Sequence, residues 1–351
     1  MSSLNIQITS GGIAAPASVL SPEPLDERQM LTQAGFDPAT HVIDGAIATT
    51  VNARGYTYRF KVVRVVHDLP ALHAVASRRR AAPYKLKTDL GLGEVVVYSD
   101  PQWGKTASGG GTPETIERSS RIRGHIVQKL RRKAPAEIAL VDLGDGIESF
   151  SNVASQAFTN DLSLPQQIDA YATDLFLWVE ALARIAPVTV TIVPSNHSAW
   201  REGKQALGRA EDDFGIMVHR LVERQARAAR LDATWVYPQP YDETVSIEVV
   251  GHVIGAAHGH QAAPNGLVRW WTGQTFGRQA IAEAEVLLTG HYHHLALQAV
   301  GERRWWVQAP TLDGGSDWYR TKSGLDTPPG VLTFSVRRES GFDVGSLDLH
   351  N

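Results

Sequence analysis

Residues 137–146 read EIALVDLGDG, an apolar run from Glu137 to Leu143 followed by Gly144-Asp145-Gly146. A short continuous apolar run bounded by turn residues predicts a strand buried on both faces, as in parallel sheets covered by helices. The pattern recurs along the chain. Residues 94–99 (EVVVYS) run into Asp100-Pro101-Gln102, and 188–195 (VTVTIVPS) into Asn196-His197. A strand expected over 245–257 leads to His258-Gly259-His260, and one over 285–288 to Gly290-His291-Tyr292-His293-His294. Helices are expected at 113–132 and 166–185, and further strands at 304–308 and 331–336. Strands alternating with helices predict an α/β core.

The 351 residues are 43% hydrophobic and 20% charged, with no cysteine. That composition excludes a disordered, collagen-like or disulfide-framed chain, and it excludes thiolate metal sites and cysteine nucleophiles. The 34 basic and 37 acidic side chains give a net charge of −3, so a nucleic-acid partner has to use one face. No apolar run approaches the roughly 18 residues that span a bilayer, and Met1-Ser2-Ser3-Leu4-Asn5 lacks a secretory pattern; the expectation is a cytoplasmic protein without a membrane partner. Composition shifts divide the chain into a flexible lead-in (1–25), a small α+β appendage (26–76, with a helix over 26–35 and two or three strands over 42–66), a basic linker (77–92) and the main domain (93–351).

Each of five expected strands ends in Asp, Asn or His and a tight turn, and in α/β sheets the carboxyl ends of strands are where ligands bind. Hard oxygen donors together with imidazoles suit two borderline divalent ions such as Mn, with Fe or Zn as alternatives. Two ions about 3.5–4 Å apart polarise a phosphoryl group and generate a bridging hydroxide, with a shared carboxylate at the centre. Glycine before Asp145 and before His291 lets the backbone turn as the side chain is aimed inward. His291 and His293, at i and i+2, point the same way from an extended segment. Of His258 and His260 the first is favoured as a ligand because it follows the strand directly, leaving His260 behind it.

The order DPQ, GD, SNHS, H, GHYH over roughly residues 94–320 resembles the calcineurin-like metallophosphoesterase superfamily, whose motifs run Asp-x-His, Gly-Asp, Gly-Asn-His-Asp/Glu, His, Gly-His-x-His. The resemblance implies a four-layer α/β/β/α sandwich of two mixed sheets. It also implies that Asp100 and His293 bind a first ion, that Asp145 bridges, and that Asn196, His258 and His291 bind a second. His197 then acts on the scissile phosphate as an acid or charge stabiliser. Three departures stand out. Gln102 occupies the place of a histidine ligand, binding the first ion more weakly, by its amide oxygen or through water; Ser195 replaces a glycine; Ser198 replaces the carboxylate that orients the histidine, a role open to Glu202. Within the superfamily the chain is most similar to phosphoesterases and nucleases of actinobacterial phages.

Glu148 either orients a ligand or starts a helix, and Asp142 hydrogen-bonds locally. The loop Ser108-Gly109-Gly110-Gly111-Thr112 lacks a Gly-Lys-Ser/Thr ending, which favours a lid or linker over a phosphate cradle. Lys105, Arg201, Lys204, Arg209 and Arg269, with Trp103, Trp270 and Trp271, follow closely on motif residues and are candidates for phosphate and base contacts; the competing reading makes the tryptophans core. The expected activity is metal-dependent phosphodiester hydrolysis, on nucleic acid. The alternatives are a phosphatase or phosphodiesterase for a small molecule such as a nucleotide, and a catalytically silent binding scaffold, which the three departures motivate.

Overall fold

A computed structural model describes residues 15–38, 41–53, 55–64, 88–150, 159–203, 205–315, 317, 320–321, 324 and 327–351. The chain divides into two units, Met1–Val75 and Ala76–Asn351. In the first, strands β1 (Ala15–Ser21), β2 (His41–Asn52) and β3 (Gly55–Arg64) form an antiparallel sheet in the order β1-β3-β2. Helix α1 (Glu27–Gln33) starts at a capping box: the Asp26 carboxylate accepts from Gln29 N at 2.8 Å and the Gln29 amide oxygen accepts from Asp26 N at 3.0 Å. Val19, Met30, Leu31, Tyr58, Phe60 and Val62 are its core. Residues 15–21, expected in the flexible lead-in, are a strand because Ala17 and Val19 pair with Phe60 and Tyr58 over that core. Residues 1–14 and 65–87, the latter including most of the expected linker (77–92), lie outside the described residues. The next strand begins at Asp89, before that linker was expected to end.

The second unit is built on two sheets. Strands β4 (Asp89–Tyr98), β5 (Pro135–Asp142), β6 (Val188–Ile192) and β9 (Ala233–Val236) run parallel, and β15 (Val331–Arg337) and β16 (Gly341–His350) extend them antiparallel, in the order β16-β15-β4-β5-β6-β9. The other sheet takes β10 (Thr244–Val249), β11 (His252–Ala257), β12 (Val286–Thr289), β13 (Ala296–Ala299) and β14 (Trp305–Gln308) in the order β10-β11-β12-β14-β13. Val95, Val97, Ala139 and Val141 from the first sheet meet Ile247, Ile254, Val286 and Leu288 from the second in a shared apolar core. The strand period of two then sends alternate residues outward: Tyr98 hydrogen-bonds Asp174 on helix α3 (Leu164–Ala183), flanked by α2 (Thr112–Lys133) and α4 (Phe214–Ala228). On the far side Leu287 packs with Leu267 and Trp271 of α5 (Leu267–Phe276). The result is the four-layer α/β/β/α sandwich. A two-residue-stranded hairpin, β7 (Arg201–Glu202) with β8 (Gln205–Ala206), follows β6.

The single strand expected over 245–257 is a hairpin of β10 and β11, turning at Val250 and Gly251, both at positive φ (45° and 93°). Apolar residues run through the turn, so composition alone hides it. No helix among the described residues is long and apolar enough to cross a membrane.

Candidate functional site

Asp145 sits at the centre. It follows β5 through Leu143-Gly144, and the turn is held from behind by Asp142, whose Oδ1 accepts from Gly144 N at 2.9 Å and whose Oδ2 accepts from Tyr171 OH at 2.5 Å. Gly144 has φ 90°, and a Cβ there would lie 2.5 Å from Ser195 Cβ, so only glycine fits. Gly290 is needed for space instead: a Cβ on it would meet Asp100 Oδ2 at 2.4 Å and Ser99 Oγ at 2.5 Å.

Asp100 after β4, Asp145 after β5, Asn196 and His197 after β6, His258 after β11 and His291 and His293 after β12 converge at one end of the two sheets. Asp145 Oδ1 accepts from His197 N at 2.7 Å; Oδ2 lies 3.1 Å from His258 Nε2, is buried, and has no hydrogen-bond partner. His258 Nδ1 faces the Leu143 carbonyl at 2.6 Å, which directs Nε2 at Asp145 and at Asn196 Oδ1, 2.8 Å away. Ligand atoms of Asp145, His258 and His291 lie within 4.8 Å of one another, a spacing fit for a cation. Five of these residues, Asp100, Gln102, Asp145, His291 and His293, have left-handed φ of 38–67°. Such conformations cost about 1–3 kcal/mol each and persist where the surroundings impose them, commonly at functional sites.

His291 and His293 do not share a direction from an extended segment. Both take positive φ, and they diverge: His291 joins Asp145 and His258, while His293 Nε2 reaches Asp100 Oδ1 at 3.2 Å. Asp100 is otherwise satisfied by Ser99 Oγ and by His291 N at 3.1–3.2 Å.

Charge in the site is balanced pairwise. Burial alone would push the His258 imidazole down, but the Asp145 and Asp100 carboxylates outweigh it and bring its pKa to about 9. Against burial, Asp145 and Glu148 likewise raise His197 to about 9. Burial, assisted by the nearby His258 charge, lowers His260 to about 4 and His291 to about 3, so both are neutral at pH 7. Neutral imidazole is the form that binds a metal. Burial opposes ionisation of Asp145, yet His258 and His197 hold its carboxyl well below the ordinary range.

Glu148 does not start a helix. It is buried, and its Oε2 lies 3.1 Å from His197 Nδ1. Glu202, suggested as the group orienting His197, is exposed on β7, so the carboxylate missing at Ser198 is supplied from the β5 side. Ser195 donates its N–H to Asp213 Oδ2 at 3.0 Å, and Asp213 Oδ1 accepts from Gly215 N at 2.7 Å as the cap of α4. This anchor escaped the sequence reading because α4 itself did. An Asp two residues before Gly215 was the available signal.

The basic and aromatic candidates divide. Trp103 and Trp271 are 1% exposed and belong to the core, so neither can stack a base. Lys105 is not an exposed side chain: its Nζ donates to Gln102 Oε1 at 2.5 Å and to Asp313 Oδ2 at 2.6 Å. Burial disfavours its charge, but Asp313 and Glu148 raise its pKa above the ordinary lysine value. Arg269 is exposed on α5, and Lys204 lies outside the described residues. Arg201 is half-buried beside Asn196, whose carbonyl accepts from its guanidinium. Arg201, Arg209, Asn196, Glu243 and His260 line a cavity of about 180 Å³. His260, placed behind the ligands by the sequence, stands between this cavity and His258, with ring centroids 5.4 Å apart. The glycine loop at 108–112 cradles no anion: Asp161 Oδ2 already accepts from Thr112 N at 2.8 Å, and Gly109 packs directly on Gly314.

No protein-family model matches the sequence, and a comparison with curated proteins finds no match. Solved structures similar in outline include Vps29 from Entamoeba histolytica complexed with zinc (14% identity, 69% of this chain and 84% of that one, TM-score 0.30), the purple acid phosphatase PPD1 of yellow lupin (9%, 93% and 66%, 0.34) and the 5'-nucleotidase of Candida albicans (9%, 76% and 55%, 0.30). At these scores the likeness carries no weight for activity.

Proposed function

We propose that this chain is a metal-dependent phosphoester hydrolase of the calcineurin-like metallophosphoesterase type. The observation that carries the reading is the buried Asp145 carboxylate at the meeting point of five strand ends, with a ligand atom within 4.8 Å of those of His258 and of the neutral His291. So many buried ligand groups turned on one point are costly to hold together without a cation between them. Asp145, Asn196, His258 and His291 would hold a divalent ion, which when bound supplies Lewis-acid activation of a phosphoryl oxygen and of water. His197, fixed through Nδ1 by Glu148 and through its main-chain N–H by Asp145, turns Nε2 toward the same space, 4.0 Å from Asp145 Oδ2. From there it holds a proton for the leaving oxygen or stabilises the charge on the transferring group. A silent scaffold has no use for so many buried polar groups kept together.

Nucleic acid is the substrate this surface supports best. Trp200 (58% exposed) stands in sequence between the cavity residues Ala199 and Arg201, and Tyr241 (75% exposed) has its ring centroid 5.7 Å from the guanidinium of Arg209, another cavity residue. Exposed rings stack bases and arginines neutralise phosphates. The small cavity beside Asn196 favours a second reading, a nucleotide-sized substrate. Salt separates the two. With Mn²⁺ present, cleavage of a single-stranded oligonucleotide should fall steeply, by more than about tenfold, between 50 and 200 mM salt. A flat response, with mononucleotides hydrolysed as fast, points to the small substrate, and no hydrolysis of any phosphoester overturns the proposal.

A further inference from the structure

Resting on the metal-dependent reading above, we propose that this chain holds one divalent ion, at Asp145, Asn196, His258 and His291, and that the Lys105 ammonium takes the place of the other ion. The two carboxylates are held alike, Asp145 Oδ2 3.1 Å from His258 Nε2 and Asp100 Oδ1 3.2 Å from His293 Nε2. The two sides of the site differ in what stands beside them. Around Asp145 the ligand atoms of Asp145, His258 and His291 lie within 4.8 Å of one another, whereas on the Asp100 side a lysine ammonium occupies Gln102. Asp100 takes hydrogen bonds from Ser99 Oγ and His291 N, and its Oδ1 is paired with His293 Nε2.

Gln102 is the decisive residue. Its amide oxygen is the one atom with which it could bind a first ion, and Lys105 Nζ donates to that atom at 2.5 Å. The ammonium is not a stray surface group. Its side chain is 13% exposed, and Asp313, 1% exposed, holds it at 2.6 Å. Asp313 is fixed in turn by Gly315 N at 2.7 Å and by the Thr311 hydroxyl at 2.7 Å. The same hydroxyl is 2.6 Å from the Asp100 carbonyl oxygen. A dication placed beside Gln102 would lose that ligand and face a fixed like charge at hydrogen-bond range, which is strongly unfavourable in a buried site. The ammonium instead offers its charge and its one remaining N–H donor to a phosphoryl oxygen, the role of electrostatic clamp that positive groups play in phosphoryl transfer.

The test uses the full chain, stripped of metal and reloaded with Mn²⁺. After equilibrium dialysis, elemental analysis should find one ion per chain, and the electron paramagnetic resonance spectrum should be that of an isolated Mn²⁺. The double variant Gln102→His/Lys105→Met should take up two ions and give an exchange-coupled spectrum. Two ions or a coupled spectrum in the unaltered chain overturns the proposal without reference to any variant. One ion in both proteins overturns the lysine's part, and none in the unaltered chain defeats the metal-dependent reading itself.

Discussion

Glu148 lies buried against His197 Nδ1, where it fixes which ring nitrogen faces Asp145. Replacing it with alanine should leave Mn²⁺ binding unchanged and lower turnover about 10–100-fold, the usual cost of losing a group that orients a functional histidine. Equal loss of metal would place Glu148 among the ligands instead. His197 itself makes stability depend on pH. Its pKa in the metal-free fold, about 9, stands above the ordinary imidazole value of 6.5. The stabilisation is therefore complete below pH 6.5 and lost as pH rises through 9. Urea unfolding in the presence of a chelator should show that loss, and His197→Gln should reduce it to the part that His258, also raised to about 9, contributes; parallel profiles in the two proteins would contradict the assignment. The sequence made Asp100, Asp145, Asn196, His258 and the two histidines of GHYH legible, because each follows an apolar strand directly. It could not reveal that Glu148 serves His197 or that Asp313 holds Lys105. Those partners lie 49 and 208 positions apart, and no local pattern ties them.

At the level of elements, buried strands announce themselves and interrupted or amphipathic ones do not. β4, β5, β6 and β12 were readable as apolar runs, since both faces are covered. The β10–β11 hairpin read as one strand because Val249-Val250 carries its apolar character into the turn. α4 and β9 were missed. α4 alternates buried Val218, His219 and Val222 with charged residues, and β9 has four residues, none fully buried. The β12 exit makes the sharpest claim at this scale. Since a Cβ at Gly290 would collide with Asp100 Oδ2 and Ser99 Oγ, Gly290→Ala should destabilise the fold by about 1–3 kcal/mol. Metal affinity should drop as His291 shifts. An alanine variant with unchanged unfolding and metal binding would mean that Asp100 is held less tightly than described.

Across the whole molecule, two sheets packed face to face bring residues nearly 200 positions apart into one cluster at the ends of their parallel strands. The proposed function rests on that juxtaposition, which follows from topology: β4, β5 and β6 lie side by side in one sheet, β11 and β12 in the other. The proposed substrate surface was less legible than the Asp145 cluster. Trp103 and Trp271, near the motifs, turned out to be interior, while the exposed Trp200 and Tyr241 carry no motif. The claim on which everything else depends is that this cluster hydrolyses phosphoesters through a metal. It is tested most directly by following hydrolysis of a generic phosphodiester by metal-stripped protein across a Mn²⁺ titration, with Asp145→Ala and His197→Ala beside it. The account predicts turnover that requires Mn²⁺, is absent in Asp145→Ala, and is about 10²–10⁴-fold slower in His197→Ala. Turnover independent of Mn²⁺, or no greater in the unaltered chain than in the two variants, would contradict it.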